Sequence, residues 1–147
     1  MALQLDYVAT FHIKVGPPID AGMGHRLIPV LGGTVEGVGL AGTILPGGAD
    51  WQSPGAGEIL NIGGRWVMET KDGTRIQVET PGIRCAPADV IAALASGHEV
   101  DPALYYFRVA PRFMVAEASY RWLLRSLFVG RGAKRPNGVE IEVYAVA

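Results

Sequence analysis

The chain has a single cysteine, Cys85, among 147 residues. That excludes an internal disulfide and any cysteine-rich metal site. Histidine is nearly as scarce: His12, His25 and His98 are too scattered to form a metal set, and no metal is expected. Charged residues make up only 18% and lysine contributes three of them, while hydrophobic residues reach 49%. This is a folded rather than a disordered composition. No apolar run approaches the roughly 20 residues of a membrane helix. The first residues, MALQLDYVATFHIKV, alternate and lack a basic leader, so neither a signal nor a transit peptide is expected. These absences point to a cytoplasmic protein without a membrane partner. The length suits one domain, residues 1–147.

Glycine (20) and proline (10) are plentiful and mark a turn-rich chain. The net charge of −1 conceals a basic stretch, in which seven Arg and Lys residues between Leu104 and Arg135 face one acid, Glu117. It lacks clustered lysines and any binding motif, so no nucleic-acid partner is expected. Ten arginines against three lysines suit planar, partly buried contacts.

Period two dominates. Leu3, Leu5, Tyr7, Ala9, Phe11, Ile13 and Val15 share one face of a long strand. Val139, Ile141, Val143 and Ala145 repeat the pattern at the other end, an arrangement suited to closing a barrel. Between them, residues 65–79 read as a hairpin with a three-residue loop, Lys71-Asp72-Gly73. That register sets Met68 against Ile76 and Trp66 against Val78, with Glu69–Arg75 and Arg65–Glu79 on the opposite face. Further strands are expected at 26–30, 35–45, 58–62, 104–109, 112–116 and 123–129, punctuated by Gly32-Gly33, Gly47-Gly48, Gly63-Gly64 and Pro136-Asn137-Gly138. One helix is expected, with Pro87 in its first turn and Gly97 as its left-handed stop. A short helical turn is expected near 118–124. The sum is an all-antiparallel barrel or strongly curved sheet.

The familiar catalytic motifs are missing. There is no nucleophile elbow, no phosphate-binding Gly-Lys loop and no His-Glu-x-x-His. Gly37-x-Gly39-x-x-Gly42 matches a dinucleotide fingerprint by letter but opens no helix. The informative blocks are GHRLIPVLGGTVEG (24–37), LPGGADW (45–51), ETKDG (69–73), YFRVAPRF (106–113) and YRWL (120–123). In this order they resemble the domain-of-unknown-function 3237 family, from about Tyr7 to Val146. The resemblance implies a small, antiparallel up-and-down β-barrel, calycin-like or allene-oxide-cyclase-like, without an established general activity and commonly a homo-oligomer. Three positions depart from the family: Met114 replaces an acid, Leu124 an asparagine and Gly63 an aspartate. If they line the barrel, the pocket is less polar than its relatives' and takes a more apolar ligand.

Asp50, Arg26, Arg108 and Tyr106 are the candidate catalytic residues, and Trp51, Trp122, Met114, Leu124 and His25 the candidate ligand contacts. Asp50 follows Gly47-Gly48 and precedes a large aromatic. Desolvation there raises a carboxyl pKa and a nearby arginine lowers it. Alternatively, Asp50 caps its own turn and Trp51 plugs the barrel end. Arg108, flanked by aromatics, suits a carboxylate or phenolate, or pairs with Asp50 or Glu117.

Two functions follow. One is a cofactor-free isomerase, cyclase or lyase acting on a small apolar or aromatic, oxygen-bearing compound, with an arginine on its oxygen and Asp50 or Tyr106 moving a proton. The other is a non-catalytic carrier of a small hydrophobic ligand.

Overall fold

The computed structural model describes all 147 residues. Its strands are β1 (Leu5–Val15), β2 (Ile19–Gly22), β3 (His25–Glu36), β4 (Gly42–Ile44), β5 (Ala49–Pro54), β6 (Ile59–Thr70), β7 (Arg75–Cys85), β8 (Tyr106–Val109), β9 (Arg112–Met114), β10 (Leu127–Arg135) and β11 (Gly138–Val146). A helix, α1 (Ala88–Ala95), follows β7, and 3₁₀ segments cover Pro102–Leu104 and Ala118–Leu124. All pairings are antiparallel. Around the ring the order is β1, β3, β5, β6, β7, β8, β10, β11 and back to β1, an eight-strand closed barrel. β4 and β5 share one lane between β3 and β6, and β8 and β9 share one beside β7. The two ends of the chain close the ring, with Leu5 opposite Val146 and Ile13 opposite Val139. Closure leaves no long free edge.

The hairpin register is the expected one. Trp66 faces Val78, Met68 faces Ile76, and the Arg65–Glu79 and Glu69–Arg75 pairs lie outside. Gly73 occupies the left-handed region at φ +86° in the three-residue loop. The helix stop is also as expected. Gly97 has φ +82°, and the His98 amide donates to the Ala93 carbonyl at 3.0 Å. Pro87 stands one place earlier than expected, as the N-cap.

Two of the glycine pairs do not interrupt the chain. β3 runs through Gly32-Gly33 and β6 through Gly63-Gly64. A Cβ at Gly33, where φ is +143°, would collide with the His12 carbonyl of β1. The glycine lets two coiled strands approach where a side chain would hold them apart. The expected strand at 35–45 is divided instead, because β3 ends at Glu36 and β4 starts at Gly42. β10 continues through Gly130 and Gly132 to Arg135, well beyond its expected end.

One half of the barrel is solid. Phe11 meets Trp66 edge-to-face at 5.0 Å, and Phe113 meets Phe128 at 5.0 Å. Met68, Ile76, Val78 and Val143, all fully buried, fill the space around them. Such aromatic pairs contribute about 0.5–1.5 kcal/mol beyond their area. The other half is hollow, and α1 lies at its mouth with Leu94 buried. No helix is long and apolar enough to cross a membrane.

Candidate functional site

The hollow half encloses a cavity of about 700 Å³. Ile28, Val30, Ile62, Val109 and Ile141 supply an apolar wall and Trp66 lies between it and the solid end. Polar groups enter by continuing the same period-two faces. Along β3, Arg26 precedes Ile28 and Val30; along β5, Asp50 and Gln52 alternate with the outward Trp51. Along β7 the inward series Ile76, Val78, Thr80 and Gly82 ends at Arg84. Along β10, Phe128, Gly130 and Gly132 lead to Lys134. The charges gather because all these strands turn polar toward the mouth.

A linear hydrogen-bond chain connects three of these residues. Arg26 Nε donates to Gln52 Oε1 at 2.7 Å, and Gln52 Nε2 donates to Asp50 Oδ2 at 2.8 Å. The Gly63 amide donates to Asp50 Oδ1 at 3.1 Å. Each carboxylate oxygen thus accepts one bond and keeps a free lone pair. Burial pushes the Asp50 carboxyl above its ordinary range, against the Gln52 and Gly63 bonds and the positive fields of Arg84 and Arg26. Burial likewise lowers the pKa of Arg84, and Arg26 adds to this by like-charge repulsion. The Lys134 ammonium is lowered in the same way, by burial first and then by Arg84 and Arg26. Its Nζ donates to the Leu94 carbonyl at 2.9 Å, which ties β10 to α1. The ion pairs of the molecule lie elsewhere, so Arg26, Arg84 and Lys134 have no carboxylate within 4.0 Å. At the rim, Glu58 and Arg135 add one charge of each sign.

Of the residues singled out in the sequence, Asp50 and Arg26 meet in this cavity. The others do not line it. His25 and Trp51 each neighbour an inward residue and therefore point outward, Trp51 being 54% exposed. Tyr106 and Arg108 flank the inward Phe107, and the Arg108 guanidinium stacks over the Tyr106 ring at 4.8 Å on the outer surface. Neither Asp50 nor Glu117 pairs with Arg108, which donates to the Phe107 carbonyl instead. Met114 flanks the buried Phe113 and is exposed; Leu124 follows the buried Leu123 and is exposed too. Trp122, in the 3₁₀ segment Ala118–Leu124, lies against Gly39, away from the cavity. Gly63 contributes its amide to Asp50 but pairs with the outward Trp51, so a side chain there would point outside. None of the three positions that depart from the family lines the cavity, so the condition for expecting a less polar pocket is not met. Sequence reasoning missed Gln52, Thr80, Arg84 and Lys134. Extending the alternation of β7 and β10 past their glycines would have found the last two.

A shallower groove of about 250 Å³ lies outside the barrel, beside His12, Thr34 and Glu140. His12 there sits 3.6 Å from Glu36 and 3.9 Å from Glu140, on the outer face of β1.

Residues 3–146 match the family model described as "Protein of unknown function (DUF3237)". The chain belongs to this family. A UPF0311 protein of Rhodopseudomonas palustris is 39% identical over 148 residues, covering 98% of this chain and 97% of that one. A crystal structure of a conserved protein of unknown function from the same species superposes with a TM-score of 0.95 at 39% identity, covering 100% and 99% of the two chains. A "beta-barrel like protein" from Acinetobacter baumannii gives 0.85 at 33% identity over 100% and 98%. An enzyme from Penicillium herquei shares the fold, with a TM-score of 0.71 at 18% identity over 100% and 96%. The barrel of this DUF3237 protein carries one carboxylate, Asp50, and three cations, Arg26, Arg84 and Lys134, inside.

Proposed function

We propose that the barrel is a cofactor-free enzyme that moves a proton on a small, largely apolar or aromatic compound bearing an oxygen. The observation that carries this reading is the Arg26–Gln52–Asp50 chain inside the cavity, with the Asp50 carboxyl shifted upward by burial. A carboxyl whose pKa is raised is a better base when ionised and holds its proton more readily for use as an acid. Asp50 lines the cavity with a lone pair left on each oxygen, while the Arg26 guanidinium keeps N–H donors for an oxygen on which negative charge develops. In the step envisaged, a carbon beside a carbonyl gives its proton to Asp50, and the electron pair moves onto the carbonyl oxygen. The proton then returns to a different carbon, or a leaving group departs with it. Isomerisation, cyclisation and elimination all fit that exchange. The apolar wall holds the body of the substrate and excludes water.

The test is incubation of the protein with a small-molecule extract in D₂O, followed by mass spectrometry. Compounds that gain deuterium, shift retention at constant mass or lose water identify substrates. Asp50→Asn should slow their conversion by about 10²–10⁴-fold, the usual effect of losing a general acid or base. Equal conversion by the variant would overturn the reading. Binding without any conversion would leave a carrier, which the wall of Ile28, Ile62 and Ile141 would also serve.

A further inference from the structure

Arg84 is the anomaly of the interior. It extends from β7 into the cavity, its guanidinium is largely withdrawn from water, and it makes neither a hydrogen bond to a protein acceptor nor an ion pair. A buried cation is ordinarily matched by a carboxylate in its own fold. Here the only interior carboxylate, Asp50, already accepts bonds from Gln52 and Gly63. Lys134 reaches the same cavity and has one of its three N–H bonds committed, to the Leu94 carbonyl. Arg26 has its Nε committed to Gln52. The interior therefore holds three cations against one acid, with most of their donors unspent.

We propose that Arg84 and Lys134 bind an oxyanionic group of the ligand, a carboxylate or phosphate ester carried on its apolar body, in the cavity they share with Arg26 and Asp50. This rests on the cavity being the ligand site, and it names the substrate class: apolar or aromatic acids rather than neutral compounds. Arg84 offers a planar fork and Lys134 a point charge beside it, a pair suited to an anion with several oxygens. The arrangement also gives the unpaired arginine a partner, the bound acid. In the free protein it opposes folding; with an acid bound it is matched.

The experiment compares 2-naphthoate, 2-naphthyl phosphate and the neutral 2-naphthamide by isothermal titration. At least one anion should bind tenfold or more tightly than the amide, the order expected for a charge-assisted hydrogen bond. Arg84→Met and Lys134→Met should each reduce that preference to threefold or less, and Arg108→Met, on the outer face, should preserve it. Arg84→Met should also raise the melting temperature of the free protein by roughly 2–10 °C, because a desolvated, unpaired charge is removed. Arg84→Gln serves as a second variant should methionine compromise folding. The preference for naphthoate over naphthyl phosphate, or the reverse, identifies the kind of acid. Equal affinity for anion and amide overturns the proposal. So does the failure of both anions to bind at 10 mM, or a preference that survives both substitutions. Asp50→Asn should slow conversion of substrates by about 10²–10⁴-fold yet keep the anion preference, so loss of catalysis and loss of acid binding are read separately.

Discussion

Reversing the polarity of the Arg26–Gln52–Asp50 chain should rescue a defect that either single change creates. In the wild type Gln52 is 8% exposed, and its amide orientation is dictated from both sides. Arg26 Nε needs an acceptor and receives Oε1 at 2.7 Å, which leaves Nε2 to donate to Asp50 at 2.8 Å. Asp50→Asn keeps the shape but offers one acceptor oxygen to two donors, so either the Gln52 amide or the Gly63 N–H is left facing an N–H₂ group. Flipping Gln52 only moves the clash to Arg26. The lost bond to a charged group costs about 1.5–3 kcal/mol, partly offset by removal of a buried charge. Gln52→Glu sets a second carboxylate against the first. At 2.8 Å and an effective dielectric constant of about 20, the repulsion is roughly 6 kcal/mol before protonation and Arg26 relieve part of it. The double variant Asp50→Asn/Gln52→Glu restores donor to acceptor at every link, because the introduced amide donates to the introduced carboxylate, which also accepts from Arg26. Its stability should exceed the sum of the two single effects by about 2–4 kcal/mol. For a chain of this size that is roughly 4–16 °C in melting temperature. Calorimetry of the four proteins at pH 7.5 measures the coupling. Additivity within about 0.5 kcal/mol would refute the chain as drawn. The double variant should remain catalytically impaired, because its carboxylate has moved two residues along β5.

Stability should also depend on pH through Asp50. Its folded pKa lies above its unfolded value, so the folded state binds the extra proton. Stability from this group is therefore full at acid pH and lost as pH rises from the ordinary carboxylate range through the folded pKa. The melting-temperature difference between wild type and Asp50→Asn should shrink toward neutrality, and a difference that grows with pH would contradict the assignment. Gly97→Val should destabilise by roughly 1 kcal/mol or more by forcing a β-branched residue to φ +82°, read as a lower urea midpoint. An unchanged midpoint would place the helix stop elsewhere. Gly33→Ala should cost more, about 2 kcal/mol or above, since the added methyl meets the His12 carbonyl rather than open space. Phe113→Ala, which removes edge-to-face contacts with Phe11 and Phe128, should cost about 3–5 kcal/mol by urea denaturation.

What the residues alone determined is local and periodic. The alternation of Ala9, Phe11 and Ile13 with polar neighbours specifies a half-buried strand wherever it ends up, and so does that of Ile141 and Val143. The hairpin register followed from the demand that Trp66 and Met68 find apolar partners, and the helix stop from a glycine able to take positive φ. These depend on neighbours within a few residues. The lining of the cavity does not. Gly32-Gly33 and Gly47-Gly48 look alike as letters, yet one lets β3 bend against β1 and the other turns the chain between β4 and β5. Only the strand across the way distinguishes them. The same holds for Trp51, which joined Asp50 in the sequence reading because they are adjacent, although adjacency in a strand sends two side chains to opposite faces. Arg84 and Lys134 lie 50 residues apart in the chain and share a cavity because barrel closure turns the polar ends of β7 and β10 toward one mouth. Their want of a carboxylate partner is a property of that closed space, and it appears only when every neighbouring strand is in place.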